Sequence, residues 1–316
     1  MSIVDKILQL PEFEAAPPVL IDVGAAQGIH PPWRRLAKYS VCVAFEADER
    51  ELASVPSEAS GFRRLTTYNA IAAERSAPAE PFHLTASPFC SSRLKPRLDA
   101  LGRYAFAPLF EVEQTVELRA LGLSEALAEL GLERVDWIKI DSQGTDLRLF
   151  RSLTEDLART VLVAEFEPGI IDAYEDEDLL SDLLAEMRGR GFWVSEMTVR
   201  GSTRIDSALA QRLFGPRASG YLGATQKTAP GWAEIEYFND FADEDVLGKR
   251  ELLLGCAFAF LRGHNGFALE LATRGRELFG PPFEELERIA IRRIRVRFSR
   301  FPLVAVGARA RRGARR

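Results

Sequence analysis

A carboxylate followed by a glycine-rich turn is the first feature of the sequence that could do chemistry. It lies within VLIDVGAAQGIHPPW, residues 19–33. The dinucleotide fingerprint G-x-G-x-x-G, aligned on Gly24, meets Ala26 and Ile29 at the other two glycine positions. A triphosphate-binding loop ends in G-K-[ST], and no lysine follows Gly28. The turn therefore fits neither ligand, which leaves a sulfonium nucleoside or a purely structural turn.

The same turn suits S-adenosylmethionine, which carries no phosphates and needs no lysine. Gly24 and Gly28 allow the backbone to approach a ligand closely, and Asp22 offers a carboxylate to the cationic amino acid end. Methyltransferases of the Rossmann-like class carry an acidic residue followed by G-x-G-x-G, and the sequence resembles this pattern except at Ala26. We therefore assign Asp22, Gly24, Ala25, Ala26 and Gly28 to cofactor binding.

A second carboxylate, Glu46, follows the next apolar run, 18 residues after Gly28. At the end of a strand it can accept hydrogen bonds from both ribose hydroxyls, and charge-assisted bonds of this kind contribute about 1.5–3 kcal/mol each. Dehydrogenases use the same device, so Glu46 indicates an adenine nucleoside more firmly than a methyl donor. Asn69, where the third strand is expected to end, is assigned to the adenine.

Asp141 ends a further apolar run in WIKIDSQGTDLRLF, where Gly144 permits a turn before the next helix. In a doubly wound sheet this strand end opens beside the ligand-binding switch point. The carboxylate could take a proton from the acceptor, orient the amino group of the donor or ligate a metal. Alternatively, it caps the helix that begins near Asp146. We assign Asp141 to both the catalytic and the cofactor-binding residues.

Two histidines and a serine-rich turn are further candidates. An alcohol is a poor nucleophile unless a base removes its proton, and His30 or His83 could be that base, although ordinary surface or capping roles are the alternative. Ser91, Ser92 and Lys95 are assigned to a polar substrate, although serine-rich turns often cap local backbone.

The acidic stretch AEFEP raises the question of a metal. Glu165 and Glu167 could bind a divalent cation together with Asp141, since hard cations prefer oxygen ligands. No histidine accompanies these acids, so solvated carboxylates at a strand end are favoured. We assign no residue to a metal site.

These candidates require elements that bring strand ends together. Buried parallel strands read as short continuous apolar runs, and such runs occupy residues 19–23, 41–46, 135–141 and 160–167, with later strands over 192–197 and 233–240. Helix-like segments alternate with them. The alternation predicts an α/β fold with a doubly wound parallel sheet and ligands at the carboxyl ends of its strands.

Two segments interrupt this alternation. Residues 76–111 are rich in Pro and Ser and are predicted to form a loop over the open edge of the sheet, and residues 198–231 are predicted to form a second lid or insertion. We expect a single domain over residues 1–285, followed by a basic C-terminal segment over residues 286–316.

The charge of the chain is unevenly distributed. The net charge is −5, but residues 288–316 contain eleven arginines and no acid, so residues 1–287 carry −16. A basic amphipathic segment can bind an anionic membrane surface or an acidic partner, or lie on the acidic surface of its own protein. Nucleic acid is not expected, because the acidic body would repel it.

Composition and cysteine use indicate a globular protein of a reducing compartment. Apolar residues make up 47% and charged residues 28%. The apolar run at residues 252–261 is far shorter than the ~20 residues of a membrane span, and the N-terminus lacks a signal-peptide pattern. The three cysteines, Cys42, Cys90 and Cys256, are scattered. We expect a cytoplasmic protein, with peripheral membrane contact as an option.

Taken in order, these pieces resemble the FkbM-type methyltransferase family, whose pattern is D-V-G-A-x-x-G, then F-E, K-I-D-x-x-G-x-E-L, an E-x-E strand and G-F. The matching stretches are residues 22–28, 45–46, 139–147, 165–167 and 191–192. The resemblance spans residues 19 to about 197. It departs from the pattern at Ala47, where proline often follows the Glu, and at Asp146, where Glu is usual.

The resemblance implies an S-adenosylmethionine-dependent O-methyltransferase that modifies hydroxyls of sugars, glycans or polyketide-like metabolites. It also implies a Rossmann-like class I methyltransferase fold, with a mostly parallel seven-stranded sheet and helices on both faces. The competing functions are an NAD-dependent sugar dehydrogenase or epimerase, and a non-catalytic nucleoside-binding module.

Overall fold

A computed structural model of the protein describes residues 2–26, 28–52, 61–242 and 248–299. The chain divides into two compact units, and each is described by itself. The sheet unit comprises Pro17–Val246, and the terminal unit comprises Met1–Ala16 with Leu247–Arg316.

The described part of the sheet unit contains ten strands. They are β1 (Val19–Val23), β2 (Val41–Phe45), β3 (Arg64–Tyr68), β4 (Ile71–Ala73), β5 (Ala77–Thr85), β6 (Val112–Gly122), β7 (Trp137–Ile140), β8 (Val163–Phe166), β9 (Phe192–Ser202) and β10 (Ala229–Asn239). The six apolar runs identified in the sequence correspond to β1, β2, β7, β8, β9 and β10.

Seven strands form one sheet in the order β3-β2-β1-β7-β8-β10-β9. The first five run parallel, whereas β10 is antiparallel to both β8 and β9. Every residue of β1 and β2 is buried, as expected for parallel strands covered on both faces. The predicted α/β fold with a mostly parallel seven-stranded sheet is confirmed.

The strand order reverses at β1. From β1 the chain adds β2 and β3 on one side, and it later adds β7 and β8 on the other side. This reversal creates a crevice outside the carboxyl ends of β1 and β7, where open α/β sheets bind their ligands.

The protein has a second sheet, and one of its strands, β5, lies where the sequence predicted a loop. Its order is β4-β6-β5, with β5 antiparallel to β6 and β4 parallel to it. Residues 76–111 also contain α4 (Leu98–Leu101) and two short 3-10 turns, Pro88–Cys90 and Ala107–Phe110. Pro78 and Pro81 disfavoured a strand in the sequence, but β5 lies at a sheet edge, where proline is tolerated.

Helices of the sheet unit follow the strands. They are α3 (Glu49–Leu52), α5 (Leu123–Glu129), α6 (Asp146–Arg151), α7 (Glu155–Arg159), α8 (Leu180–Gly189), α9 (Ser207–Phe214) and α10 (Ala218–Thr225). Within residues 198–231, the end of β9 and the start of β10 flank α9 and α10.

The main core packs apolar side chains of the central strands against helices. Ile138 of β7 shares this core with Leu127 of α5 and Phe150 of α6, and all three are fully buried. Each such side chain contributes about 1.5–3 kcal/mol on burial, so the strand ends that carry polar residues are held on a rigid base.

The terminal unit is helical. It contains α1 (Ile3–Leu8), α2 (Pro11–Ala15), α11 (Lys249–Arg262), α12 (Asn265–Phe279) and α13 (Phe283–Ser299). The apolar run at 252–261 forms the buried part of α11. Residue 286, where the sequence predicted the start of the basic C-terminal segment, lies inside α13. Leu286 is buried and belongs to the packed face of that helix. None of the described helices is both long and apolar enough to cross a membrane.

Candidate active site

A cavity of about 260 Å³ opens at the carboxyl ends of β1, β2, β7 and β8. Five residues assigned from the sequence line it, namely Gly24, Ala26, Glu46, Ser91 and Asp141. The structure therefore brings the glycine turn, the second carboxylate and the catalytic candidate to one place.

Gly24 is required by the close approach of two strand ends. Its φ is +75°, and a Cβ there would overlap the carbonyl oxygen of Asp141 and lie 3.1 Å from its carbonyl carbon. The Gly24 and Ala25 amides both donate to the Phe45 carbonyl, at 3.0 and 3.1 Å. Gly28 also has a positive φ, of 102°. Ala25 is buried beneath the turn and does not line the cavity.

Asp22 stabilises the glycine turn through a hydrogen bond. Its side chain is buried, and Oδ2 accepts a hydrogen bond of 2.8 Å from the backbone N–H of His30, where the turn ends. Burial raises the pKa of Asp22, and the nearby Lys139 ammonium opposes this shift. Asp22 does not line the cavity, so in this structure it positions the turn.

Lys139 joins the ends of β1 and β7. Its Nζ lies 3.4 Å from Asp141 Oδ2 and 3.7 Å from Asp22 Oδ1, and it donates to the Gly24 carbonyl at 3.3 Å. Burial acts to lower the pKa of Lys139, but the carboxylates of Asp141 and Asp22 outweigh it, so the pKa is raised. Lys139 therefore places a fixed positive charge beside Asp141.

Gln143 orients Asp141 from the other side and was missed by the sequence reasoning. Its Nε2 donates to Asp141 Oδ1 at 2.7 Å, and its Oε1 accepts from the Tyr174 hydroxyl at 3.2 Å. The Gln143 backbone adopts a left-handed φ of 56°, and its carbonyl accepts from Ser92 Oγ at 2.7 Å. The tight turn before Gly144 was the available signal. Asp141 is thus held on both carboxylate oxygens.

Glu46 lines the cavity and has one carboxylate oxygen without a hydrogen-bond partner among the described residues. Only 6% of the residue is exposed, and Oε1 accepts from the Asp48 N–H at 2.8 Å. Oε2 is buried and has no hydrogen-bond partner among the described residues. Burial raises the pKa of Glu46 to about 7. A buried acceptor left unpaired costs about 1–3 kcal/mol, so a ligand hydroxyl at this position would be stabilising.

An arginine network supports the Glu46 side of the cavity and was also missed. Arg50 forms a bidentate pair with Asp48, with Nη2 to Oδ2 at 2.7 Å and Nε to Oδ1 at 2.9 Å. The same guanidinium donates to Ser91 Oγ at 2.9 Å and to the Thr85 carbonyl at 3.0 Å. Ser91 therefore lines the cavity as part of a fixed wall.

Glu167 is a second acid on the cavity wall. It follows β8 as Asp141 follows β7, and the two strands are paired in parallel with Ile140 opposite Phe166. Burial and then the charge of Asp141 raise the pKa of Glu167 well above its ordinary value. Near neutral pH, Glu167 can therefore hold a proton beside Asp141.

Asp146 ties these two strand ends together. It is buried, Oδ1 accepts from the Ser142 N–H at 3.0 Å and the Ser142 hydroxyl at 2.6 Å, and Oδ2 accepts from the Glu167 N–H at 2.8 Å. Burial raises its pKa to about 6. The shorter acid, a departure from the family pattern, is long enough for these three bonds.

Both candidate histidines lie away from the cavity wall. His30 packs against Trp33 and Trp137, at ring-centroid distances of 5.3 and 6.3 Å, and its Nε2 lies 3.0 Å from Glu165 Oε1. His83 lies on β5, with Nδ1 3.0 Å from Thr115 Oγ1. Burial and the nearby Lys95 lower the pKa of His83.

The remaining assigned residues also do not line the cavity. Ser92 is buried. Its Oγ donates to the Gln143 carbonyl and accepts from the Leu94 N–H at 2.9 Å, so Ser92 orders the Gln143 turn. Lys95 is largely exposed and lies 4.0 Å from Glu175. Asn69 follows β3 as predicted, but it is exposed, and Ala70, after it, lines the cavity.

Among the described residues, no group of three or more His, Cys, Asp or Glu side chains is arranged to hold a metal ion. Glu165 accepts from Trp137 Nε1 at 2.7 Å, on the side where His30 packs, whereas Glu167 lines the cavity.

Comparison with known proteins identifies the family. The Methyltransferase FkbM domain matches residues 22–194, more than half of the chain, and the protein therefore belongs to the FkbM methyltransferase family. The chain is similar to the crystal structure of an S-adenosylmethionine dependent methyltransferase from Mesorhizobium loti, at 11% identity and a TM-score of 0.29, covering 75% of this chain and 100% of that one. No curated protein matches the sequence.

The family implies S-adenosylmethionine as the methyl donor, and the cavity has features that fit it. The unpaired Glu46 Oε2 is an acceptor suited to a ribose hydroxyl. Gly24 leaves the turn without a side chain, and no basic side chain of the phosphate-binding type follows it. A carboxylate acceptor without a basic side chain nearby in the turn suits an uncharged ribose better than a phosphate.

Proposed function

We propose that the protein is an O-methyltransferase that transfers the methyl group of S-adenosylmethionine to a hydroxyl of a sugar, glycan or polyketide-like metabolite. One observation carries the proposal: a single cavity is lined by Glu46, whose Oε2 has no hydrogen-bond partner among the described residues, and, at the neighbouring strand ends, by the acids Asp141 and Glu167. A nucleoside and a hydroxyl acceptor are the two ligands that these groups suit.

Donor binding is assigned to the β1–β2 side. Glu46 accepts the ribose hydroxyls, the Gly24–Ala26 backbone lies against the amino acid end, and the apolar Ile71 and Phe82 offer a surface to the adenine. When bound, S-adenosylmethionine supplies an electrophilic methyl group on a sulfonium. Much of the rate would come from alignment of the acceptor oxygen with that methyl.

Acceptor activation is assigned to Asp141. The carboxylate takes the proton of the attacking hydroxyl as the new bond forms, since an alcohol needs such a base. Gln143 and Lys139 fix the carboxylate at 2.7 and 3.4 Å, so its orientation is set before the acceptor binds.

Glu167 favours a polyhydroxyl acceptor. Because its pKa is raised by burial and by Asp141, its carboxyl group can donate a hydrogen bond near neutral pH. Asp141 would accept from one hydroxyl while Glu167 donates to a neighbouring oxygen. Sugars and polyketide-like metabolites carry oxygens in such adjacent positions.

Fold class and compartment belong to the same proposal. The order of the parallel strands, with a reversal at β1, supports a Rossmann-like class I methyltransferase fold. Cys42, Cys90 and Cys256 are buried and unpaired, which supports a reducing cytoplasm.

Calorimetric titration with S-adenosylhomocysteine and with NAD tests the proposal. We expect S-adenosylhomocysteine to bind and NAD not to bind. Glu46→Ala should weaken S-adenosylhomocysteine binding at least tenfold, about 1.4 kcal/mol. Glu49→Ala removes an exposed Glu three residues away and should leave binding unchanged. Tighter binding of NAD, or equal binding by a folded Glu46→Ala variant, would contradict the assignment.

A further inference from the structure

Helix α13 buries one face and exposes another. Phe283, Leu286 and Ala290 are buried, and a Cβ at Gly275 of α12 would overlap the Phe283 ring. Arg293 continues this face, lying over the Phe260 ring at 4.8 Å and donating to the Phe260 carbonyl at 3.4 Å. The packing of this face fixes which residues point outward.

The outward side carries an arginine face, defined by Arg288, Arg292 and Arg295. These residues are exposed, and their spacing of four and three residues places them on one side of the helix. Ile291 and Val296 lie among them and line a shallow groove with them. The face is therefore basic with apolar side chains between the charges.

The arginine face lacks carboxylate partners among the described residues. The acids of α13 are used elsewhere, since Glu285 pairs with Lys6 at 3.0 Å and Glu287 with Arg276 at 3.4 Å. Arg288 Nε donates only to the Glu284 carbonyl, at 3.3 Å. Like charges three and four residues apart destabilise a helix slightly, and the helix dipole favours cations only in the last turn. Packing within the described part of the terminal unit does not account for this face.

Apolar exposure beside the arginines indicates the kind of partner. Val296, which lines the groove with the arginines, is 43% exposed, and it is the last described side chain of the helix. In the sequence, residues 300–316 add six arginines, the apolar stretch FPLVAV and no acid. Basic residues interleaved with exposed aliphatic ones are the pattern of helices that lie in a lipid interface.

We propose that the arginine face of α13 binds an anionic phospholipid surface. The arginines lie among the headgroup phosphates, and Ile291 and Val296 of the same groove reach the boundary of the acyl chains. Each basic residue near such a surface contributes attraction that weakens with salt. This contact is independent of the methyl-transfer proposal, because it needs neither donor nor acceptor.

Co-sedimentation of the full chain with vesicles tests this contact. We expect binding to phosphatidylcholine vesicles that contain phosphatidylserine, little binding to phosphatidylcholine alone, and weaker binding as salt rises. The triple variant Arg288→Gln, Arg292→Gln, Arg295→Gln should bind the anionic vesicles at least tenfold more weakly. The matched control Arg34→Gln, Arg35→Gln, Arg64→Gln replaces three exposed arginines elsewhere. It changes the net charge by the same amount as the test variant and should bind like the wild type.

A second variant separates lipid from other polyanions. Ile291→Ser with Val296→Ser keeps all the arginines and should also weaken vesicle binding, while binding to polyglutamate should be unaffected. Circular dichroism of each variant establishes that it is folded. Equal vesicle binding by the wild type and the arginine triple variant would overturn the proposal. So would a chain that binds polyglutamate or RNA but not the anionic vesicles.

Discussion

The carbonyl oxygen of Asp141 occupies the space that a side chain at residue 24 would need. The ends of β1 and β7 therefore meet at a point where only glycine fits, and its φ of +75° adds to the restriction. This contact places the glycine turn against the strand end that carries the proposed base.

Gly24→Ala should abolish detectable binding of S-adenosylhomocysteine and destabilise the fold by about 1–3 kcal/mol, because the Cβ must displace backbone. Thermal denaturation and calorimetry measure the two effects. Gly189→Ala is the matched control, since its Cβ meets nothing within 4 Å and its backbone is helical. Normal donor binding by Gly24→Ala would show that the turn is not part of the site.

Donor affinity should depend on pH through Glu46. Its folded pKa is raised to about 7, so the free protein holds a proton there below that pH. Two ribose hydroxyls donate to the ionised carboxylate, and binding must therefore release the proton in acid solution. Affinity for S-adenosylhomocysteine should fall by about tenfold for each pH unit below 7. Calorimetry from pH 5.5 to 8 measures the profile.

Glu46→Gln cannot ionise and should give weaker binding with a flat profile over the same range. Thermal denaturation at each pH checks that both proteins stay folded. An unchanged slope in the variant would assign the pH dependence to another group.

Asp141→Asn should lower turnover by about 10²-fold or more, because the amide cannot take the acceptor proton. Donor affinity and the melting temperature should change little. Turnover is measured by mass spectrometry on a hydroxylated acceptor found by screening. His83→Ala is the comparison, since His83 does not line the cavity and its loss should leave turnover unchanged. The reverse pattern would transfer the base role to His83.

Asp146→Asn should act on stability, in contrast to Asp141→Asn. The amide nitrogen would face one of the donors of Ser142 or Glu167 and leave it unpaired, at a cost of about 1–3 kcal/mol. Urea denaturation measures the loss. A variant as stable as the wild type would show that the strand ends do not depend on Asp146.

The central strands and the carboxylates that follow them could be predicted from the local sequence. Continuous apolar runs predicted β1, β2, β7 and β8, and parallel pairing then brought Glu46 and Asp141 to one edge. The positions of Gly24 and Gly28 were equally readable, because both need a backbone conformation that glycine favours.

Long-range contacts were not readable from the sequence. Arg50 meets Ser91 across 41 residues, and Ser92 meets the Gln143 turn across 51. The predicted substrate serines thus divide into a cavity wall and a turn support. His30 follows the glycine turn as expected, but it packs against Trp33 and Trp137 and does not line the cavity.

A crystal structure of the protein with S-adenosylhomocysteine tests the central claim most directly. We expect both ribose hydroxyls within hydrogen-bond distance of the Glu46 carboxylate, and the sulfur facing the space between Asp141 and Glu167. Density for the nucleoside outside this cavity, or a ribose turned away from Glu46, would contradict it.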